Sequence, residues 1–235
     1  MKKLFYTSAL VLCSIGAFAQ GYQKPSGNGS TFGIRGAFNL SHISGTSSYS
    51  SGGSTTTSTA NSSTLPGFTA GVFALIPVGS EFAIQPELDY ALKGGKYAGS
   101  SSNSNYDFKL KLGYISIPIL FKWQPADVAG FNVFVGPEFG YLASAKEDNV
   151  ATINGTIGSA SSSGVSDVKN QYKSVDVGLD VGLGYNFVPN FGIDVRYGLG
   201  LTNIAKNDAS NNNNNGNSVT RNRTIQIGLS YLFGK

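Results

Sequence analysis

The sequence has almost no sulfur or imidazole chemistry, with one cysteine, Cys13, and one histidine, His42. Cys13 falls within an N-terminal apolar run, so whatever follows that run has neither a disulfide framework nor a thiolate metal site. No metal-ligand spacing and no cofactor motif is present, and no nucleic-acid partner is expected. Long apolar runs are missing after residue 20: nothing there approaches the roughly 18–20 consecutive apolar residues of a transmembrane helix. If the chain crosses a bilayer, it must do so with strands. Helical periodicity never persists, and good helix formers are sparse.

In their place stand glycine, serine, asparagine and aromatics, among them 31 Gly, 12 Tyr and 15 Phe. At the N-terminus, Lys2 and Lys3 precede an apolar run ending in the small-x-small pattern Ala17-Phe18-Ala19, which reads as an export signal over 1–19. The bulky Leu12 before Cys13 argues against a lipid anchor there. A short segment, 20–30, would lead into one domain, 31–235. Eight stretches alternate with period two: 31–43, 67–76, 82–92, 109–123, 131–143, 172–187, 191–204 and 224–233. Most reach the about 9–11 residues that cross a bilayer as tilted strands. The connections after the second, fourth and sixth stretches are short (77–81, 124–130 and 188–190). Those after the first, third, fifth and seventh are long and low in complexity (44–66, 94–108, 144–171 and 205–223). The expected fold is therefore all-β, an eight-stranded antiparallel up-and-down transmembrane β-barrel with both termini on the short-turn side. The long connections read as loops, and the Ser/Thr tract before Asn61 and the run 211–215 also fit disordered spacers.

Glycine placement assigns the faces. In the sixth stretch Val175, Val177, Leu179, Val181, Leu183 and Tyr185 share one face, and Asp176, Gly178, Asp180, Gly182, Gly184 and Asn186 share the other. The seventh stretch repeats this, with Phe191 to Leu201 set against Gly192, Asp194, Arg196, Gly198 and Gly200. Glycine weakens a strand and packs nothing, so a water-exposed sheet would use Thr, Lys or Glu instead. Small residues do suit the inside of a narrow barrel. The bulky face is thus expected to meet lipid and the small polar face the lumen. Phe32, Phe82, Trp123, Phe131, Phe187, Phe191, Tyr231 and Phe233 flank the short turns as an interfacial ring, and Tyr90, Phe108, Tyr141 and Tyr172 suggest a second ring near the long loops. The second stretch is ambiguous, with Phe73 and Leu75 opposite Phe68, Val72 and Ile76.

With the strands placed, their wording resembles a known family. Gly33-Ile34-Arg35-Gly36-Ala37-Phe38-Asn39-Leu40-Ser41, Phe82-Ala83-Ile84-Gln85-Pro86-Glu87-Leu88, Tyr114-Ile115-Ser116-Ile117-Pro118-Ile119-Leu120-Phe121-Lys122 and Phe134-Val135-Gly136-Pro137-Glu138-Phe139-Gly140-Tyr141 resemble the PorT-like outer-membrane β-barrel family of Bacteroidota. The runs 191–204 and 225–233 do so as well. The resemblance implies a barrel in the cell outer membrane, and the family's founding member is linked to protein secretion. A shared barrel does not carry that role with it.

The charges sort by this topology. Arg35, Lys122 and Arg196 would face the lumen together with Glu87, Asp89, Glu138, Asp176, Asp180 and Asp194. Because side chains just fill an eight-stranded barrel, an internal ion-pair network of structural role is expected, and a conducting pore is not. The six acids against three bases have no explanation in the sequence. A basic excess gathers at the long loops: Lys93, Lys96, Lys109, Lys111, Lys146, Lys169, Lys173, Lys206, Arg221 and Arg223. Of these, Lys109 and Lys111, before the fourth bilayer crossing, and Arg221 with Arg223, before the eighth, are candidates to contact lipopolysaccharide phosphates. Outer-membrane lipids are the expected partners, alongside other envelope or secretion proteins. The function expected is a structural or partner-binding role in the cell envelope, with no catalytic residues. The alternative is an outer-membrane lipid or peptide hydrolase using His42 near Ser44, although no neighbouring carboxylate is evident to orient the ring.

Overall fold

A computed structural model describes residues 30–51, 54–101, 104–155, 158–187, 190–206 and 216–233. The expected export signal, all but the last residue of the segment 20–30, and the asparagine run 211–215 lie outside the described residues. Ten strands form one antiparallel sheet: β1 (Thr31–Ser51), β2 (Ser54–Asn61), β3 (Leu65–Pro77), β4 (Phe82–Ser101), β5 (Ser104–Trp123), β6 (Phe131–Gly155), β7 (Gly158–Asp167), β8 (Val175–Asn186), β9 (Phe191–Gly200) and β10 (Gly216–Phe233). Eight of them close a ring in the order β1-β3-β4-β5-β6-β8-β9-β10, and β10 pairs back onto β1 from Phe32↔Phe233 to Tyr49↔Gly216. The expected up-and-down barrel of eight strands is what the chain forms. Closure leaves no sheet edge through the wall, so its backbone groups find partners on neighbouring strands rather than in water.

β2 and β7 stand off the ring, each pairing one neighbour, β1 and β6 respectively. Three of the stretches expected as long loops are therefore raised β-hairpins: β1 runs on to Ser51, β4 to Ser101 and β6 to Gly155. A ladder already in register needs no apolar face to continue, because each added pair satisfies two more backbone groups. β8 and β9 are instead shorter than expected. A 3₁₀ turn, Lys169–Gln171, and a bridge between Tyr172 and Ala205 fold 168–174 and 201–206 across the barrel mouth.

The wall alternates as glycine placement requires. Val175, Leu179, Val181 and Leu183 on β8 and Phe191, Ile193 and Val195 on β9 are exposed, while Asp176, Gly178, Asp180, Arg196 and Gly198 are buried. Phe32, Phe82, Trp123, Phe191 and Phe233 form the outward ring at the short-turn end, where Phe191 and Tyr231 meet edge to face at 4.8 Å. β3 resolves as Phe68, Val72 and Ile76 outward with Phe73 and Leu75 inward. Of the expected second ring, Tyr90 and Tyr141 face outward, but Phe108 and Tyr172 turn inward.

That inward turn builds a feature absent from the strand pattern. Ile43, Leu110, Leu112, Tyr114, Leu142, Ala145, Val168 and Ile204 pack into a buried layer across the loop-side mouth, with Phe108 and Tyr172 against it. Burial, with Tyr97 and Glu147 nearby, pushes the Tyr172 phenol up to about 12, so the layer carries no charge at that point. At the short-turn end Phe73, Leu75 and Ala83 form a smaller layer, with Leu232 packed against it. The polar lumen lies between the mouth layer and this smaller cluster, beside which the amide of Asn132 is also buried.

Candidate functional site

The nine charges expected in the lumen all point inward, and most are joined. Arg196 on β9 grips Glu87 on β4 with two bonds of 2.9 Å, its guanidinium 2% and the carboxylate 0% exposed. The same guanidinium reaches Asp180 at 3.4 Å and lies 5.3 Å from the Phe134 ring centroid. Lys122 donates to the Gln85 amide oxygen at 3.0 Å, and Gln85 donates in turn to Glu87 at 2.6 Å. Arg35 holds Asp194 at 3.0 and 2.6 Å and donates to Gln226 at 3.1 Å. Asp176 is held by neutral donors, Thr202 at 2.6 Å and Asn222 at 2.9 Å. Asp89 is buried beside Glu87 in the field of Arg196 and Arg35.

Lys93 corrects the charge sorting. Expected among the loop-side bases, it is buried in the lumen, with its ammonium 2.8 Å from both Glu138 oxygens. Its parity continues the inward series Gln85, Glu87, Asp89 and Ala91 on a strand that does not end at residue 92. The lumen therefore carries six carboxylates against four bases, a smaller surplus than the sequence suggested.

Glycines make room for these pairs. A Cβ at Gly228 would stand 2.7 Å from both Arg35 Nη2 and Asp194 Oδ1. Gly140, Gly178, Gly198 and Gly200 line a void beside Lys93, Glu138 and Asp176; it measures about 10 Å³, room for little more than one water.

The four rim residues do not form one site. β5 and β10 lie four strands apart in either direction around the ring, so Lys109 and Lys111 sit opposite Arg221 and Arg223. On the β5 side acids accompany the bases. Lys111 ion-pairs with Asp148, Lys96 lies 2.7 Å from Asp107, and Lys109 is in register with Lys96 and Asp148. On the β10 side Arg223 donates to the Tyr197 hydroxyl at 3.3 Å and is in register with His42 on β1 and Leu199 on β9, while Arg221 is opposite Ser44. Among the described residues neither arginine forms an ion pair. His42 faces outward, as its parity implied, with a cation as its cross-strand neighbour.

A family model described as outer membrane protein beta-barrel domain matches residues 18–206. The chain belongs to that family. Membership places the protein in the outer membrane. No curated protein matches the chain. Among solved structures it is similar to Neisserial surface protein A, at 15% identity and a TM-score of 0.42, covering 87% of this chain and 99% of that one. It is similar to OprG from Pseudomonas aeruginosa at 12% identity and a TM-score of 0.42, covering 88% and 98%. It is also similar to the outer membrane protease OmpT from Escherichia coli at 12% identity and a TM-score of 0.40, covering 92% and 100%.

The apolar layer at the mouth went unread in the sequence. Its signal was β5, where Phe108, Leu110, Leu112 and Tyr114 take the inward parity and Asp107, Lys109 and Lys111 the outward one, the reverse of Ile115, Ile117, Phe121 and Trp123 below. A strand whose apolar parity inverts above the wall has an apolar lumen end.

Proposed function

We propose that this protein is a closed, non-conducting barrel of the outer membrane that acts through its extracellular face, in a structural or partner-binding role. The observation that carries this reading is the lumen filled by buried ion pairs, Arg196 with Glu87, Arg35 with Asp194 and Lys93 with Glu138, below the apolar layer at the loop-side mouth. The raised hairpins offer a partner a surface that the wall, lined outward with apolar side chains, does not. The PorT-like wording of the strand segments is what links such a role to protein secretion. The alternative, a lipid or peptide hydrolase using His42, finds Arg223 rather than a carboxylate in register with the imidazole. The test is electrical. Purified protein inserted in planar bilayers should give no resolvable single-channel steps, and steady unitary conductance would overturn the closed-lumen reading.

A further inference from the structure

The outward surface of the loop-side rim is not uniform. Ten residues separate Phe233, in the short-turn aromatic ring, from Arg223. At about 3.3 Å per residue and a tilt near 40°, that length climbs roughly 25 Å, the height of a barrel's apolar band. Below Arg223 on the same face of β10 stand Ile225, Ile227 and Leu229, all exposed, with Leu40 of β1 and Val195 of β9 beside them. The guanidinium thus sits at the upper edge of the hydrocarbon, where lipid headgroup phosphates begin. On β5 twelve residues separate Trp123 from Lys111 and fourteen separate it from Lys109, which on the same arithmetic puts Lys111 level with Arg221, about 5 Å above Arg223, and Lys109 about 5 Å higher still. The β5 group also has acids beside it, Asp148 and Asp107.

The contrast is chiefly one of chemistry, with Arg223 alone at the lower level. Arg223 is fixed by the Tyr197 hydroxyl, one turn of the ladder below it, and keeps other donors of its fork unused by any described acceptor. Arg221 is exposed two residues above on the same face, and His42 adds an imidazole in register across the β1–β10 seam. Two guanidinium forks without a counter-charge, one at the boundary where apolar chains end and the other about 5 Å above it, match a phosphomonoester carried on an acyl-chain anchor. We propose that Arg221 and Arg223, with His42, form a lateral site for a phosphate of the outer-leaflet glycolipid, lipid A, and that Lys109 and Lys111 do not. The inference rests on the outer-membrane reading but not on a closed lumen: a conducting barrel would sink the latter and leave this test intact.

The test uses the full-length protein solubilised in detergent, with purified bis-phosphorylated lipid A as probe and retained lipid counted by native mass spectrometry. Wild type should hold lipid A and should retain far less when dephosphorylated lipid A is supplied in its place. R221Q/R223Q should lose at least about tenfold in retention, since each charge-assisted hydrogen bond is worth that much or more. K109Q/K111Q should change by less than about twofold, as exposed charges with acids beside them contribute little. Heat-modifiable migration on gels checks that each variant is folded. Should R221Q/R223Q fail to fold, R221K/R223K keeps the charge without the fork and should lose a measurable part of the retention. Equal losses in the two Gln pairs, indifference to dephosphorylation, or displacement of lipid A by inorganic phosphate would each overturn the proposal, the last by showing a free-anion site.

Discussion

Replacing Arg196 with Met tests the lumen network at its centre. Arg196 serves Glu87 at 2.9 Å and Asp180 at 3.4 Å from a position 2% exposed. At an effective dielectric of about 20, a 2.9 Å pair has a gross attraction of roughly 6 kcal/mol, much of it offset by the desolvation of both ions. Removing the cation relieves only its own share of that desolvation and leaves two carboxylates buried without their base, so the loss should lie at or above about 3–5 kcal/mol, the usual cost of breaking a buried pair. Glu87→Leu alone should cost less, because the guanidinium keeps Asp180. The double variant R196M/E87L should recover part of the loss, with a coupling energy of about 2 kcal/mol or more. The assay is reversible urea unfolding in lipid vesicles, followed by the fluorescence of Trp123, the one tryptophan in the chain. An R196M loss below about 1 kcal/mol that shrinks further with salt would refute the reasoning, since that is how a solvated ion pair behaves.

Two further comparisons use the same assay. Lys93→Met should cost about 3 kcal/mol or more because it strips Glu138 of its partner, while Lys109→Met at the rim should stay within about 0.5 kcal/mol; similar costs would return Lys93 to the loop-side group. Gly228→Leu should destabilise by at least about 1–3 kcal/mol, because its side chain must displace the Arg35–Asp194 pair. Gly36→Ala meets nothing within 4 Å and should be neutral or slightly stabilising, so a large loss there would show that the wall is packed differently at β1.

Much of this architecture was legible in the sequence because an outer-membrane wall is a binary code. On β8 and β9 the inner positions are mostly Gly, Asp and Arg and the outer ones aliphatic or aromatic, so parity alone placed Asp180, Asp194 and Arg196 inside. The same rule also located Lys93 once β4 was allowed to run past residue 92; a boundary drawn where apolar alternation faded cut it off. The hairpins β1–β2 and β6–β7 were illegible for a related reason. Above the bilayer neither face needs to be apolar, so Ser and Thr tracts carry strand as readily as loop, and only the ladder below decides. The mouth layer needed three dimensions, since Val168 and Ile204 lie in connections that periodicity does not describe. The separation of the two rim pairs was readable from strand order alone: the fourth and eighth members of an eight-membered ring face away from each other.

The bond between Arg35 and Asp194 has a consequence for how the protein reaches its final form. Arg35 lies on β1 and Asp194 on β9, with Gln226 of β10 as a third party, so this contact bridges the line where the first and last strands meet. A sheet that has entered the membrane with that line unsealed holds an unpartnered guanidinium on one margin and an unpartnered carboxylate near the other. Such a state is penalised at both margins and relieved only by joining them. Completion is therefore favoured by electrostatics inside the barrel as well as by backbone pairing along its wall, and the half-assembled cylinder is a state that the chain has a standing reason to leave.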